Sequence, residues 1–325
     1  MSASPLRFDN RVAIVTGSGR GLGREYALLL ARLGAAVVVN STTKETAQDT
    51  LEEILKCGGK AIAHVGSVAD RAVADAMVEA AVTSFGRVDI VINNAGAANT
   101  TLFEDLSATD FWNMLQVHIG GSWNVTQAAW PYMKKQKYGR VIMTLSLMMF
   151  GMETQSAYGT AKMGLLGLTK ALALEGKEHN IHVNALAPSG YTPLVERALP
   201  NEQVRNDMKK FLPAAEVAPP VLWLVHEECE VNGESFSAQG RLVARLFLAE
   251  TPGFHGPANG DWSLEVVRDN WEKVVEETGY TVHTDMRESG PQMFARVTGH
   301  KSIVSSQMLA DTFQAKDSSD REENY

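Results

Sequence analysis

Cysteine is scarce: the chain has two in 325 residues, Cys57 and Cys229. They show no pairing pattern and no metal-ligand spacing, so neither a disulfide framework nor a metal site is expected, and a reducing compartment is the default. No apolar run reaches the ~20 residues that a membrane-spanning helix needs. Positive charge is also in deficit, with a net charge of −8 and a pI near 5.6. That argues against nonspecific nucleic-acid binding, which relies on clustered Lys and Arg. The first ten residues, "MSASPLRFDN", lack the apolar core of a signal peptide. The polar end, "DSSDREENY", is expected to fray and carries no Ser-Lys-Leu ending, so a cytoplasmic location is expected.

What is present fits a globular enzyme. Hydrophobic residues make up 45% and charged residues 21%, enough for a large core without a stapling metal or disulfide. Six short runs rich in Val and Ile read as strands: 11–17, 35–40, 61–66, 88–96, 139–146 and 181–188; the mostly polar 231–240 is a candidate seventh outside that set. The six are continuously apolar, as parallel strands buried on both faces are. Helical periodicity fills the gaps near 21–33, 44–57, 70–84, 107–137 (with a break expected at Gly120-Gly121) and 155–179. This alternation predicts an α/β fold with a doubly wound parallel sheet of seven strands. The rhythm stops after residue 240. The division expected is therefore 1–240 as the main domain and 241–325 as an extension packed on it, with one helix at 263–277.

The first strand runs into "VTGSGRGLGREYALLLARLG", where Gly17, Gly21 and Gly23 punctuate a strand-to-helix turn. Glycines there permit a tight turn, close approach of backbone to a pyrophosphate, and close contact of helix and strand. The helix N-terminus that follows presents free N–H groups to an anion. A glycine-rich turn alone is weak evidence, but other motifs follow in order. "NNAG" (93–96) ends the fourth strand, Ser146 closes the fifth, Tyr158 and Lys162 open the next helix four positions apart, and "AP" (187–188) ends the sixth strand.

In this series the chain resembles the short-chain dehydrogenase/reductase superfamily over residues 10–240. The resemblance implies a Rossmann-like domain and hydride exchange between a nicotinamide and a carbonyl or alcohol. "AAWPYMKKQKYGRVIMT", "GLLGL", "VHIGGS" and "VAPPVLWLVHEECEVNGESF" look like a narrower group, the dehydrogenase units of peroxisomal multifunctional β-oxidation enzymes. That likeness implies a (3R)-3-hydroxyacyl-CoA substrate. It also implies coenzyme contacts from Gly17, Ser18, Arg20, Gly21, Leu22, Gly23, Asn40, Ser41, Ser67, Val68, Asn94, Ala95, Gly96, Tyr158, Lys162, Pro188 and Thr192. Family members commonly dimerise through long helices like those at 107–137 and 155–179, so a homodimer or homotetramer is expected.

Tyr158 and Lys162 share one helix face. A phenol titrates near 10, too high for ready exchange at neutral pH, and a neighbouring cation favours its ionised form. The expected roles follow. Tyr158 is the acid or base, Lys162 its activating charge and a holder of the nicotinamide ribose, and Ser146 the donor that fixes the carbonyl oxygen. Three departures from the family pattern stand out. Ser146 lies 12 residues before Tyr158, where 13 is usual; Leu145 holds the usual offset, and Thr144 is a weaker substitute. His118 replaces the usual catalytic Asn, either anchoring a relay water near Lys162 or sitting as a satisfied buried His. The segment "SGYTPL" after Pro188 is short, leaving Thr192 to meet the carboxamide.

Coenzyme choice turns on the end of the second strand, where an acidic residue grips the adenosine ribose and repels a 2′-phosphate. Ser41 stands there, and Arg20 adds a guanidinium in the glycine turn, so NADP(H) is favoured over NAD(H). "LMMF" (147–150) with Met152 reads either as an apolar pocket wall or as core packing. The competing functions are hydroxyacyl-CoA/ketoacyl-CoA oxidoreduction, reduction of a bulky steroid or secondary-metabolite ketone, and a catalytically inactive nucleotide sensor.

Overall fold

A computed structural model describes residues 5–291, apart from 199–200, 258, 261, 284, 287–288 and 290. The C-terminal run expected to fray lies outside the described residues. The chain divides into two units, Met1–Leu246 and Phe247–Tyr325, of which only the described residues are treated below.

The first unit is built on one sheet whose strands are β1 (Val12–Val15), β2 (Ala36–Ser41), β3 (Lys60–Val65), β4 (Ile90–Asn93), β5 (Gly139–Thr144), β6 (Ile181–Ser189), β7 (Ser235–Gln239) and β8 (Leu242–Leu246). Their spatial order is β3-β2-β1-β4-β5-β6-β7-β8. The first seven pair in parallel. The eighth is antiparallel, Gln239 facing Leu242 across a turn through Gly240 at φ 53°. It was not expected from sequence, because all but the last of its residues are exposed and no buried face marks it. The unit therefore runs on to Leu246 instead of stopping at 240. Alternate residues of β1, Val12 and Ile14 against Ala13 and Val15, feed two apolar cores on opposite faces of the sheet.

The helices α1 (Gly21–Arg32), α2 (Lys44–Lys56), α3 (Arg71–Phe85), α4 (Ala108–Leu115), α5 (Gly121–Gln136) and α6 (Ser156–Gly176) fill the crossovers. The expected break at Gly120-Gly121 is not a break. Residues Gln116–Gly120 form one π-helical turn, and the chain continues in helical geometry into α5. Gly121 is there for contact: a Cβ on it would lie 2.4 Å from Val68 Cγ2. Beyond β6 come α7 (Pro193–Ala198), α8 (Glu202–Phe211) and α9 (Ala218–Val225). In the second unit the helix expected at 263–277 is two short ones, α10 (Leu264–Asp269) and α11 (Trp271–Val275), separated by Asn270, whose side chain donates to the Val266 carbonyl. That unit also holds a two-stranded antiparallel pair, β9 (Ala249–Glu250) and β10 (Thr281–Val282). No helix among the described residues is long and apolar enough to cross a membrane.

Candidate active site

Everything the sequence marked as functional gathers at the carboxyl ends of the parallel strands, where an open α/β sheet forms its crevice. The glycine turn joins β1 to α1. Gly17 sits at φ 61° and Gly21 at φ 61°, a region costly for residues with a Cβ. A Cβ on Gly17 would lie 2.8 Å from Ala95 Cα, and one on Gly23 would lie 2.6 Å from the Gly17 carbonyl oxygen. The turn is thus pressed against "NNAG" and against its own helix. Asn94 locks the contact: its side chain donates to the Thr16 and Gly17 carbonyls at 2.9 and 3.2 Å, and its amide donates to Thr16 Oγ1 at 2.9 Å. Helix α1 begins without a capping side chain and with no acidic residue in its first turn. Its amides and positive end remain available to a phosphate, so the turn fits a dinucleotide.

Other expected coenzyme residues divide by exposure. Ser18 is fully buried; its hydroxyl donates to the Val15 carbonyl at 2.6 Å and accepts from the Asn40 amide at 3.1 Å. Buried Asn40 donates to the His64 and Gly66 carbonyls and accepts from Gly17 N at 3.2 Å. Both side chains hold the turn onto β2 and β3. Val68 is buried beneath Gly121. Ser67 is exposed at the end of β3, where its hydroxyl accepts from Ala69 N. Ala95 and Gly96 line the rim, and Leu22 packs toward Gly190. Pro188 pairs with Ala238 near the end of β6. Thr192 lies beside the glycine turn: a Cβ on Gly21 would be 3.4 Å from its Cγ2.

At the adenosine end, Arg20 is exposed, with no side-chain hydrogen bond or ion pair among the described residues. Ser41 Oγ and Thr43 Oγ1 both meet Thr46 Oγ1, at 2.7 and 2.6 Å. Thr46 and Gly19 escaped the sequence reading. A Cβ on Gly19 would lie 2.6 Å from Thr46 Oγ1 and 2.9 Å from Ser41 Oγ. The second glycine in "GSGRGLG" was the available signal.

The catalytic candidates converge where β5 ends and α6 begins. Ser146 lies near enough to Tyr158 for its hydroxyl to favour the ionised phenol, and Ser146 Oγ accepts from Met148 N at 3.3 Å. Leu145, at the family's usual offset, is buried in the core. Thr144 contributes its carbonyl, not its hydroxyl: it accepts from Lys162 Nζ at 2.6 Å. Gly159 lets α6 close on this segment, since a Cβ there would lie 3.1 Å from the Met148 carbonyl oxygen. The "LMMF" run splits. Met149 is buried, whereas Met148, Phe150 and Met152 are exposed.

Lys162 is 3% exposed, and burial pulls its ammonium from the ordinary 10.5 down to about 7. Burial raises the Tyr158 phenol, with the Ser146 hydroxyl opposing. The ammonium donates to the Thr144 carbonyl and sits 5.4 Å from the centroid of the Tyr158 ring, over its face. His118, in the π-helical turn, packs edge-on to Tyr158 with ring centroids 5.2 Å apart. Its Nε2 is 2.8 Å from the Ala97 carbonyl oxygen. Its buried Nδ1 has no partner among the described residues, so His118 is not a satisfied core histidine. Burial first, then the Lys162 charge, lowers its pKa to about 3, so the ring is neutral at physiological pH. His118 also explains Gly96, whose Cβ would lie 2.5 Å from His118 Cε1.

Residues 11–203 match the family described as short chain dehydrogenase. The chain is 41% identical over 298 residues to the peroxisomal multifunctional enzyme type 2 of Mus musculus, covering 88% of this chain and 40% of that protein. It is 38% identical to a putative short-chain type dehydrogenase/reductase of Mycobacterium tuberculosis, covering 83% of this chain and 96% of the relative. Among solved structures it is similar to full-length peroxisomal multifunctional enzyme type 2 from Drosophila melanogaster, with a TM-score of 0.77 and 34% identity over 90% of this chain and 50% of that one. The chain thus spans half or less of these two multifunctional relatives.

Proposed function

The chain belongs to the short-chain dehydrogenase family, and from that premise we propose that it interconverts 3-hydroxyacyl-CoA and 3-ketoacyl-CoA with a nicotinamide coenzyme. The observation that carries the reading is the convergence of Ser146, Tyr158 and Lys162 at one end of β5. When bound, the coenzyme supplies or accepts the hydride. Ser146 donates to the substrate oxygen and holds it against Tyr158. Tyr158 gives that oxygen a proton in reduction and takes it back in oxidation. Lys162, a base or an acid near neutral pH, exchanges protons with the surroundings through its hydrogen-bonding group and holds the ribose hydroxyls. His118 Nδ1 offers one lone pair to a water beside this chain of donors.

Exposed Met148, Phe150 and Met152 support an apolar acyl site next to Ser146. For the coenzyme, the Ser41, Thr43 and Thr46 hydroxyls, the absence of a carboxylate at position 41 and the unengaged Arg20 support NADP(H) over NAD(H). Exposed Trp112 on α4 and Trp123 on α5 support assembly as a homodimer or homotetramer through these helices. A cytoplasmic location is our reading from composition, with the peroxisome, named in the relatives, as the alternative compartment. The test is coenzyme oxidation by the purified chain with acetoacetyl-CoA, longer ketoacyl-CoAs and a ketosteroid. Fastest turnover is expected on a ketoacyl-CoA; preference for the ketosteroid would shift the assignment to the bulky-ketone reading.

A further inference from the structure

Between β4 and α4 the chain passes beside the catalytic candidates without regular structure: residues 94–102 form neither helix nor strand. The passage is held at three places. Ala97 meets His118, its carbonyl oxygen 2.8 Å from Nε2, and the His118 ring packs edge-on to Tyr158. Leu106 packs against the small apolar cluster of Met114, Ala157 and Ala161, which Tyr158 also borders. In between, residues 99–101 are bound to the two residues just before α6. Gln155 Nε2 donates to the Asn99 carbonyl at 2.9 Å and to Thr100 Oγ1 at 3.2 Å. Thr101 N donates to the Thr154 carbonyl at 3.1 Å. Among the described residues, these are the hydrogen bonds that hold 99–101.

Both members of this clamp are unusual for a loop. Gln155 is buried, so its amide has given up water for these contacts and depends on them. Thr154 sits at φ 68°, in the left-handed region where a β-branched residue is a genuine outlier. Strain of that kind persists only where the surrounding structure imposes it, and it gathers at functional sites. Exposed apolar side chains border the clamp along both segments. Leu102 and Phe103 follow Thr101, and Met148, Phe150 and Met152 precede Thr154. Apolar groups left in water beside a polar reaction centre suit an alkyl chain.

We propose that Gln155 is a positioning residue that sets acyl-chain selectivity. On the ketoacyl-CoA reading above, on which this rests, Gln155 and Thr154 fix the backbone of 99–101. Leu102 and Phe103 then stand with Met148, Phe150 and Met152 as one wall for the acyl chain beyond the reacting carbon. A short acyl group ends near Tyr158 and gains little from that wall. A long one lies along it, and loses binding when 99–101 is released.

The test is steady-state kinetics of the full chain on acetoacetyl-CoA and on 3-ketohexadecanoyl-CoA at saturating coenzyme. Gln155→Met keeps an unbranched side chain of similar length and removes both donors. The ratio of kcat/KM, long substrate over short, should fall at least about tenfold, with the loss in the KM of the long substrate. A Gln155 that only supported the fold would slow both substrates alike and leave the ratio where it was. Replacing Leu102 and Phe103 together by Ser alters exposed side chains alone, so it keeps the fold and should lower the same ratio. Adding Gln155→Met to that pair should lower it little further, because both changes act on one wall. A ratio unmoved by either change, or fully additive losses in the combined variant, would overturn the proposal and leave the ketoacyl-CoA reading standing. A wild type that turns over neither CoA ester would overturn both.

Discussion

Replacing Lys162 by Met should yield a protein that is more stable and inactive. The side chain is 3% exposed, and burial moves its ammonium from 10.5 to about 7. A group whose folded-state pKa is depressed in this way binds fewer protons when folded than when unfolded between those two values. Stability therefore rises with pH across the window from about 7 to 10.5. At pH 7 the desolvated amine costs about 4 kcal/mol, and at pH 9 about 2 kcal/mol, taking 1.36 kcal/mol per factor of ten. Met has nearly the same length and no charge, so the substitution removes that cost. It also removes the hydrogen bond to the Thr144 carbonyl, worth about 1.5–3 kcal/mol when the donor is charged. The net expectation is a gain of about 1–2 kcal/mol at pH 7, shrinking by about 2 kcal/mol at pH 9, where the variant is no more stable than the wild type. Urea denaturation of both proteins at the two pH values measures the difference directly, because every other titrating group is common to both. A stability difference that stays constant between pH 7 and pH 9 would refute the reasoning, since Lys162 would then titrate as an ordinary surface amine. The strain is one a site tolerates because a base near neutrality is useful there.

Tyr158→Phe removes only the transferable proton, so turnover should fall by about 10²–10⁴-fold with coenzyme affinity nearly intact; a fall of less than tenfold in steady-state assays would dismiss the acid-base role. Wild type should bind NADPH at least about ten times more tightly than NADH. Arg20→Ala should weaken NADPH alone, and Ser41→Asp should reverse the preference, all read by fluorescence titration; equal or tighter NADH binding by the wild type would sink the assignment. Gly96→Ala places a Cβ 2.5 Å from the buried His118 ring, so thermal unfolding should show destabilisation of about 1–3 kcal/mol, and an unchanged midpoint would mean the ring moves freely. Light scattering at micromolar concentration should give a dimer or tetramer, against which a monomer would count.

Periodicity and local backbone demands carried most of the architecture. Continuous apolar runs marked the strands, and β1 to β6 appear where those runs are. The glycine turn was legible because positive φ at Gly17 and Gly21 is a property of the residue itself. Tyr158 and Lys162 were legible as a pair because helical spacing alone puts them on one face. The exposed edge strand β8 left no such mark: its pairing comes from a hairpin and not from a buried stripe.

Tertiary packing decided what each polar atom faces. Ser18 and Asn40 look like coenzyme contacts in a motif, and their side chains also tie β1, β2 and β3 together. The choice among Thr144, Leu145 and Ser146 could not be made by counting. Only the path of the chain after β5 sends Leu145 into the core and Ser146 to Tyr158. The same holds for Lys162, whose ammonium meets Thr144 across 18 residues of sequence. Sequence spacing determines the neighbours of a residue within one helix or strand. Neighbours across elements, and the desolvation that shifts their charges, exist only once the chain has closed on itself.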